Sequence, residues 1–141
     1  MKATKLTSAL LLFSLAIFFS NCTPDRDIIS STEETLTQSN WSVDYYFQAQ
    51  DLTAEYAGYR LLFSATGTVA AQKGNEIIQG TWGKVVDVNT DEIITINFST
   101  SDTTLSKLNL GWRLVNKTSS TLLFEDNGQV NTSSQLRIKK E

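Results

Sequence analysis

Histidine is missing altogether from this 141-residue chain, and cysteine, proline and methionine occur once each. Without histidine the chain has no side chain of the type that most often serves as general base or metal ligand near neutral pH. One cysteine permits neither an internal disulfide nor a Cys/His dyad. The familiar catalytic and metal-binding repertoire is thereby narrowed to carboxylates and hydroxyls, and neither a cofactor nor a metal is expected. Charge is sparse too, with 12 Lys and Arg against 15 Asp and Glu, a net charge of −3. Nucleic-acid binding needs a basic stripe to replace counterions, so that partner is disfavoured. The length fits one domain and is short for two packed ones.

The longest apolar run stands at the start. Lys2 and Lys5 precede fourteen mostly apolar residues, Leu6 to Phe19. A bilayer-spanning helix needs roughly 20, so residues 1–21 read as a secretory signal that is exported and removed. The lone cysteine, Cys22, follows directly in Phe18-Phe19-Ser20-Asn21-Cys22. That placement resembles a bacterial lipobox, whose cysteine becomes the acylated first residue of the mature protein. Phe19 and Asn21 stand where the usual pattern has Leu and then Gly or Ala, a loosening similar to that in lipoproteins of Bacteroidetes-type bacteria. The competing reading, a secreted protein with a free thiol, has no Ala-x-Ala site near residue 21 to support it. Several acyl chains, at about 0.8 kcal/mol per buried CH₂, would anchor the chain firmly.

Residues 22–35 are polar, acidic and aperiodic, and are expected to be a flexible tether. Their acids resemble surface-export signals of the same bacteria, or serve a soluble linker. Removing residues 1–21 takes two lysines and no acid, which moves the net charge from −3 to −5. An anionic bilayer repels such a domain, so attachment to membrane is expected through acyl chains alone.

Residues 36–141 contain no proline and carry Gly and Asn/Asp clusters at short intervals. Trp41-Ser-Val43-Asp-Tyr45-Tyr-Phe47-Gln alternates with period two, the mark of a half-buried strand. Further strands are expected at 59–64, 68–72, 76–84, 85–88, 92–98, 111–116, 121–125 and 134–139, with turns at 65–67, 73–75, 89–91 and 126–128. Residues 51–57 and 103–108 read as short helical turns. So many short antiparallel strands protect their edges by closing. The expected fold is all-β: an up-and-down antiparallel barrel of about eight strands. Its expected interior is Trp41, Val43, Tyr45, Phe47, Leu61, Phe63, Ile78, Trp82, Ile94, Ile96, Phe98, Trp112, Leu114, Leu122, Phe124, Leu136 and Ile138. At ~1.5–3 kcal/mol per buried side chain, such a core needs no disulfide.

Several stretches carry a family resemblance: Trp41-Ser-Val43, Tyr56-Ala-Gly58 through Gly67-Thr-Val69, Gly80-Thr-Trp82, Leu105 to Trp112, and Leu136-Arg-Ile-Lys-Lys140. They resemble the small lipocalin-like-domain lipoproteins of Bacteroidetes-type bacteria, a family mostly without assigned function. The resemblance implies a lipocalin-like barrel over about 36–140. The Gly-x-Trp near the start of true lipocalins is absent.

Trp41, Tyr45, Phe63, Trp82 and Trp112 are the candidates to line a cavity for an apolar ligand, since eight strands leave room for one small molecule. They serve equally well as packing. Tyr46, Tyr56 and Tyr59 are expected on the surface, as a contact patch at a barrel mouth. Asp87-Val-Asn89-Thr-Asp91 starts like a calcium loop, but Glu92 and Phe98 replace the Gly and bidentate Glu that loop needs, so a hairpin turn is expected. No Gly-x-Ser-x-Gly elbow or Ser-x-x-Lys accompanies the many hydroxyls. The expectation is a non-enzymatic binding or accessory module, anchored by Cys22 in the outer membrane of the cell envelope and meeting a small apolar ligand or an envelope protein. The alternatives are a structural or protein-interaction subunit with a filled barrel, and a carboxylate-based hydrolase.

Overall fold

A computed structural model describes residues 30–128 and 133–141. The signal segment, Cys22 and the tether as far as residue 29 lie outside the described residues. Nine strands follow one another: β1 (Asn40–Gln48), β2 (Gln50–Asp51), β3 (Tyr59–Phe63), β4 (Thr68–Lys73), β5 (Glu76–Val86), β6 (Glu92–Asn97), β7 (Gly111–Lys117), β8 (Thr121–Asp126) and β9 (Gln135–Lys140). Each pairs antiparallel with its neighbour in the meander, and β1 pairs with β9 to close the wall. Strand β2 only folds back on the end of β1 through two residue pairs. Eight strands therefore form the closed up-and-down barrel that the period-two pattern predicts.

Turn chemistry fixes the register. Gly67, at φ 84°, takes the left-handed position that lets the chain reverse between β3 and β4. The break expected at Lys84 does not occur. Nothing between Gly83 and Val86 has turn chemistry, and β5 runs on unbroken, with Val85 opposite Ile93. Gly80 admits a close approach: a Cβ there would overlap the Asn97 carbonyl and come within 2.7 Å of Phe98 Cδ1.

A bulge in β1 overturns part of the expected interior. Val43 pairs with Ile138 but Tyr45 pairs with Arg137, so Asp44 is an extra residue. An inserted residue reverses the alternation beyond it. Trp41 and Val43 face inward, and then Tyr46, opposite the buried Leu136, takes the inner position. Tyr45 and Phe47 consequently turn outward and are half-buried. A second bulge, at Val115 of β7, lies between the Leu114–Phe124 and Asn116–Leu123 pairs.

Two short helices plug the barrel. Helix α1 (Thr32–Thr37) enters over the end where β1 begins, called the entry end below, and buries Leu36 completely. Ser31 caps it, accepting a hydrogen bond from the Glu34 amide at 3.1 Å. The expectation of a flexible tether through residue 35 is thus corrected, because Ser31 to Thr35 belong to the folded domain. Helix α2 (Thr103–Ser106) closes the far end with Leu105 and Leu108, both fully buried. Asp102 caps α2 by accepting from the amides of Thr104 and Leu105. The helical turn expected at 51–57 is a 3-10 turn at Thr53–Tyr56.

Candidate functional site

The barrel interior is the place where a ligand would sit. Phe63 and Trp112 line it together with Leu36, Leu61, Phe124 and Leu136, and every lining residue is apolar. The space left between them is about 10 Å³. That volume suits at most a single water, which would find no polar partner, whereas small-molecule sites run from about 300 Å³. Among the described residues, the interior around these aromatics is packed.

The five cavity candidates separate accordingly. Trp41, Phe63 and Trp112 belong to the buried core. Trp82 is half-buried at its margin, where its ring meets Phe63 edge-on at 5.4 Å between centroids. Tyr45 is on the outer wall, its ring 5.7 Å from the Arg137 guanidinium, which pairs with Asp44 at 2.6 Å. The Asp44 bulge is the cause of that displacement.

Each indole N–H is used to fasten a segment at a barrel end. Trp41 donates to the Leu36 carbonyl of α1 at 3.0 Å, and Trp112 to the Leu108 carbonyl beyond α2 at 2.9 Å. Trp82 donates to the Ser64 carbonyl of the β3–β4 turn at 2.8 Å. The Ser64 and Leu108 carbonyls also accept from the amides of Gly67 and Leu110, so there the indole adds a second bond, whereas at Leu36 it serves a carbonyl of the last turn of α1.

The three tyrosines expected as a surface patch are instead buried at the far end. The Tyr46 hydroxyl donates to the Lys107 carbonyl at 2.9 Å, the Tyr56 hydroxyl to the Thr104 carbonyl at 2.9 Å, and the Tyr59 hydroxyl to Asp102 Oδ2 at 2.6 Å. Tyr46 and Tyr56 pack ring to ring at 4.9 Å. Burial pushes Tyr46 up to about 12 and raises Tyr56 further. The hydrogen bond to the Asp102 carboxylate, reinforced by burial, pushes Tyr59 up to about 12. The same bond, with the amides of α2, holds Asp102 below its usual range. The tyrosines are a socket for α2.

At the entry end a charged latch holds α1. Lys84 of β5 lies 3.2 Å from Glu33 and 3.5 Å from Glu92 of β6. The Thr32 hydroxyl donates to Glu92, and Lys117 donates to the Ser30 carbonyl at 2.7 Å. The Thr32 bond, with Lys84 in support, keeps the Glu92 carboxyl below its ordinary range. The Glu33 carboxylate raises Lys84.

Asp87 Oδ1 accepts from the amides of Asn89 and Asp91 at 2.8 and 3.0 Å, which lowers its carboxyl and closes the β5–β6 turn, as expected of a hairpin. Among the described residues no cluster of three or more metal-ligating side chains occurs. No helix among them is long and apolar enough to cross a membrane.

The chain matches no protein-family model and no curated protein. It is similar to a solved structure of a DUF4847 family protein from Bacteroides vulgatus ATCC 8482, at 19% identity and a TM-score of 0.56. The match covers 79% of this chain and 98% of that one, and the likeness is one of fold.

Proposed function

We propose that this protein is a non-enzymatic accessory module of the cell envelope, held at the outer membrane through an acylated Cys22 and working through its outer surface. The observation that carries the reading is the interior of about 10 Å³, closed by Leu36 at one end and by Leu105 and Leu108 at the other. A carrier for an apolar molecule needs a chamber some tens of times larger than this, joined to solvent. The filled barrel therefore favours the interaction role over the carrier role. The position of Cys22 behind the apolar segment and the resemblance to a Bacteroidetes-type lipoprotein family support the setting.

Carboxylate chemistry also supports a non-enzymatic role. A general-acid carboxyl needs a raised pKa. The carboxyls of Asp51, Asp87, Glu92 and Asp102 are all lowered, each by hydrogen bonds that build a turn, a cap or the latch. They are held ionised for structural work.

Native mass spectrometry of protein purified from the envelope tests the proposal. The expected result is an acyl mass on Cys22 and no apolar small molecule bound to the barrel. A bare thiol at Cys22 would overturn the anchor, and a stoichiometric apolar ligand would overturn the surface role.

A further inference from the structure

Large apolar side chains left in solvent are unevenly placed. Among the described residues five are strongly exposed: Ile77, Val85, Val86, Val88 and Val115. Four of these belong to the β5–β6 hairpin or to the last turn of wall beside it on β7, all toward the entry end. Val88, at 98% exposure, stands at the hairpin tip, with Val86 at 57% and Val85 at 53% behind it.

The turn is built to hold Val88 out. Asp87 donates its amide to the Asp91 carbonyl at 3.1 Å and accepts at its own carbonyl from the Thr90 amide at 3.0 Å. Thr90 takes φ 70°, an uncommon conformation for a threonine. The two aspartates face local donors: Asp87 the Asn89 and Asp91 amides, and Asp91 the Arg113 guanidinium at 3.9 Å. The acids flanking the valine are thus already engaged by the protein itself.

The same end receives the chain. Ser30 is fastened to Lys117, and Thr32 to Glu92, so the path from Cys22 to the folded domain is only the eight residue steps to Ser30. Fully extended, eight steps reach about 28 Å. An acylated Cys22 therefore keeps the entry end within that distance of the lipid, while the far end is a barrel length further away. Charge at the entry end is mixed, with Lys84, Arg113, Lys117, Lys139 and Lys140 against Glu33, Glu34, Asp87, Asp91, Glu92 and Glu141. Neither sign dominates, so apolar contact decides how the end meets a neutral lipid surface.

We infer that the β5–β6 hairpin tip is a bilayer-contact element: Val88, backed by Val86, seats in the interface of the membrane to which Cys22 anchors the chain. The partner is a lipid surface rich in zwitterionic headgroups. The inference rests on the acylation of Cys22 proposed above. The contact fixes the barrel's orientation, with the entry end down and the α2 end presented away from the membrane.

The test uses the acylated protein in phosphatidylethanolamine-containing vesicles, carrying an environment-sensitive fluorophore at Val88→Cys or, as control, at Asn75→Cys in the far-end β4–β5 turn. Both positions are exposed, and Cys22 is blocked by its acyl chains. The expected result is a blue shift at position 88, loss of emission to a lipid-borne quencher and protection from aqueous iodide, with none of these at position 75. Hydrogen exchange on the unlabelled protein should slow at residues 87–90 when vesicles are added. Four outcomes overturn the contact. Both labels stay aqueous on protein whose mass shows an acylated Cys22. Position 75 is quenched instead of 88. Position 88 is shielded from iodide without lipid quenching, so that a protein or a second copy covers it. Exchange at 87–90 is unchanged. Failure of the anchor looks different: the mass shows a bare Cys22 thiol and the protein does not sediment with vesicles.

Discussion

At the scale of single residues, the buried hydroxyls and indoles carry more than their apolar area. Tyr56 donates to a carbonyl of α2 from within the core. Tyr56→Phe keeps the ring and removes one of two bonds to that carbonyl, which still accepts from the Lys107 amide at 3.3 Å, so stability should fall by about 0.5–1.5 kcal/mol in urea unfolding. Sequence patterning placed Trp41, Phe63 and Trp112 inside correctly, because they sit on unbulged stretches where period two holds. It misplaced Tyr45 and Tyr46 by one step, since a bulge at Asp44 has no composition signature of its own. Tyr56 and Tyr59 were misplaced for another reason. Their partners lie some 45 residues further along the chain, around Asp102 and Thr104, and no local pattern reports contacts of that range.

At the scale of elements, both plugs are tied down by titratable groups, and the signs of their shifts set opposite pH limits. Glu92 has a folded pKa below its ordinary value of 4.5, so the latch contributes fully above that value and is lost as pH falls through the lowered one. Urea midpoints should therefore drop below about pH 4.5 in the native chain, and Glu92→Gln should show a lower midpoint at neutral pH with a flatter acid limb. Tyr46 and Tyr59 are pushed up to about 12, so their contribution is complete below the ordinary value of 10 and disappears as pH rises through about 12. Tyrosinate absorbance should accordingly rise together with loss of near-ultraviolet circular dichroism between those two values. Helix α1 was legible in principle: Ser31-Thr-Glu-Glu34 has the Ser-x-x-Glu spacing of a capping box. Its acidic, tether-like composition concealed the signal. Helix α2 was read in nearly the right place, over 103–108; the structure adds its cap, Asp102, and buries Leu105 and Leu108.

At the scale of the whole molecule, strand number, sequential order and closure followed from turn spacing and alternation, since a meander of eight short strands has one economical way to hide its edges. Whether the barrel is full was not legible, because an inward aromatic produces the same alternation in a packed barrel as in a hollow one. The answer depends on Leu36, which enters from a helix that the alternation does not describe. Leu36→Ala should cost about 2–5 kcal/mol by leaving a hole at the entry end. It should also turn on fluorescence of an apolar naphthalene probe that the native protein does not enhance, and equal signals from both would contradict the packed interior.

The seam between β1 and β9 has a temporal consequence. It joins Trp41 to Lys140, so the wall cannot seal until β9 is free to pair. Long-range closure of this sort is slow to form. A chain passing lengthwise through a narrow channel stays open and threadable until its final strand has emerged, and a version ending before residue 134 should show no cooperative melt. Release of β9 is itself the trigger that lets the cylinder shut.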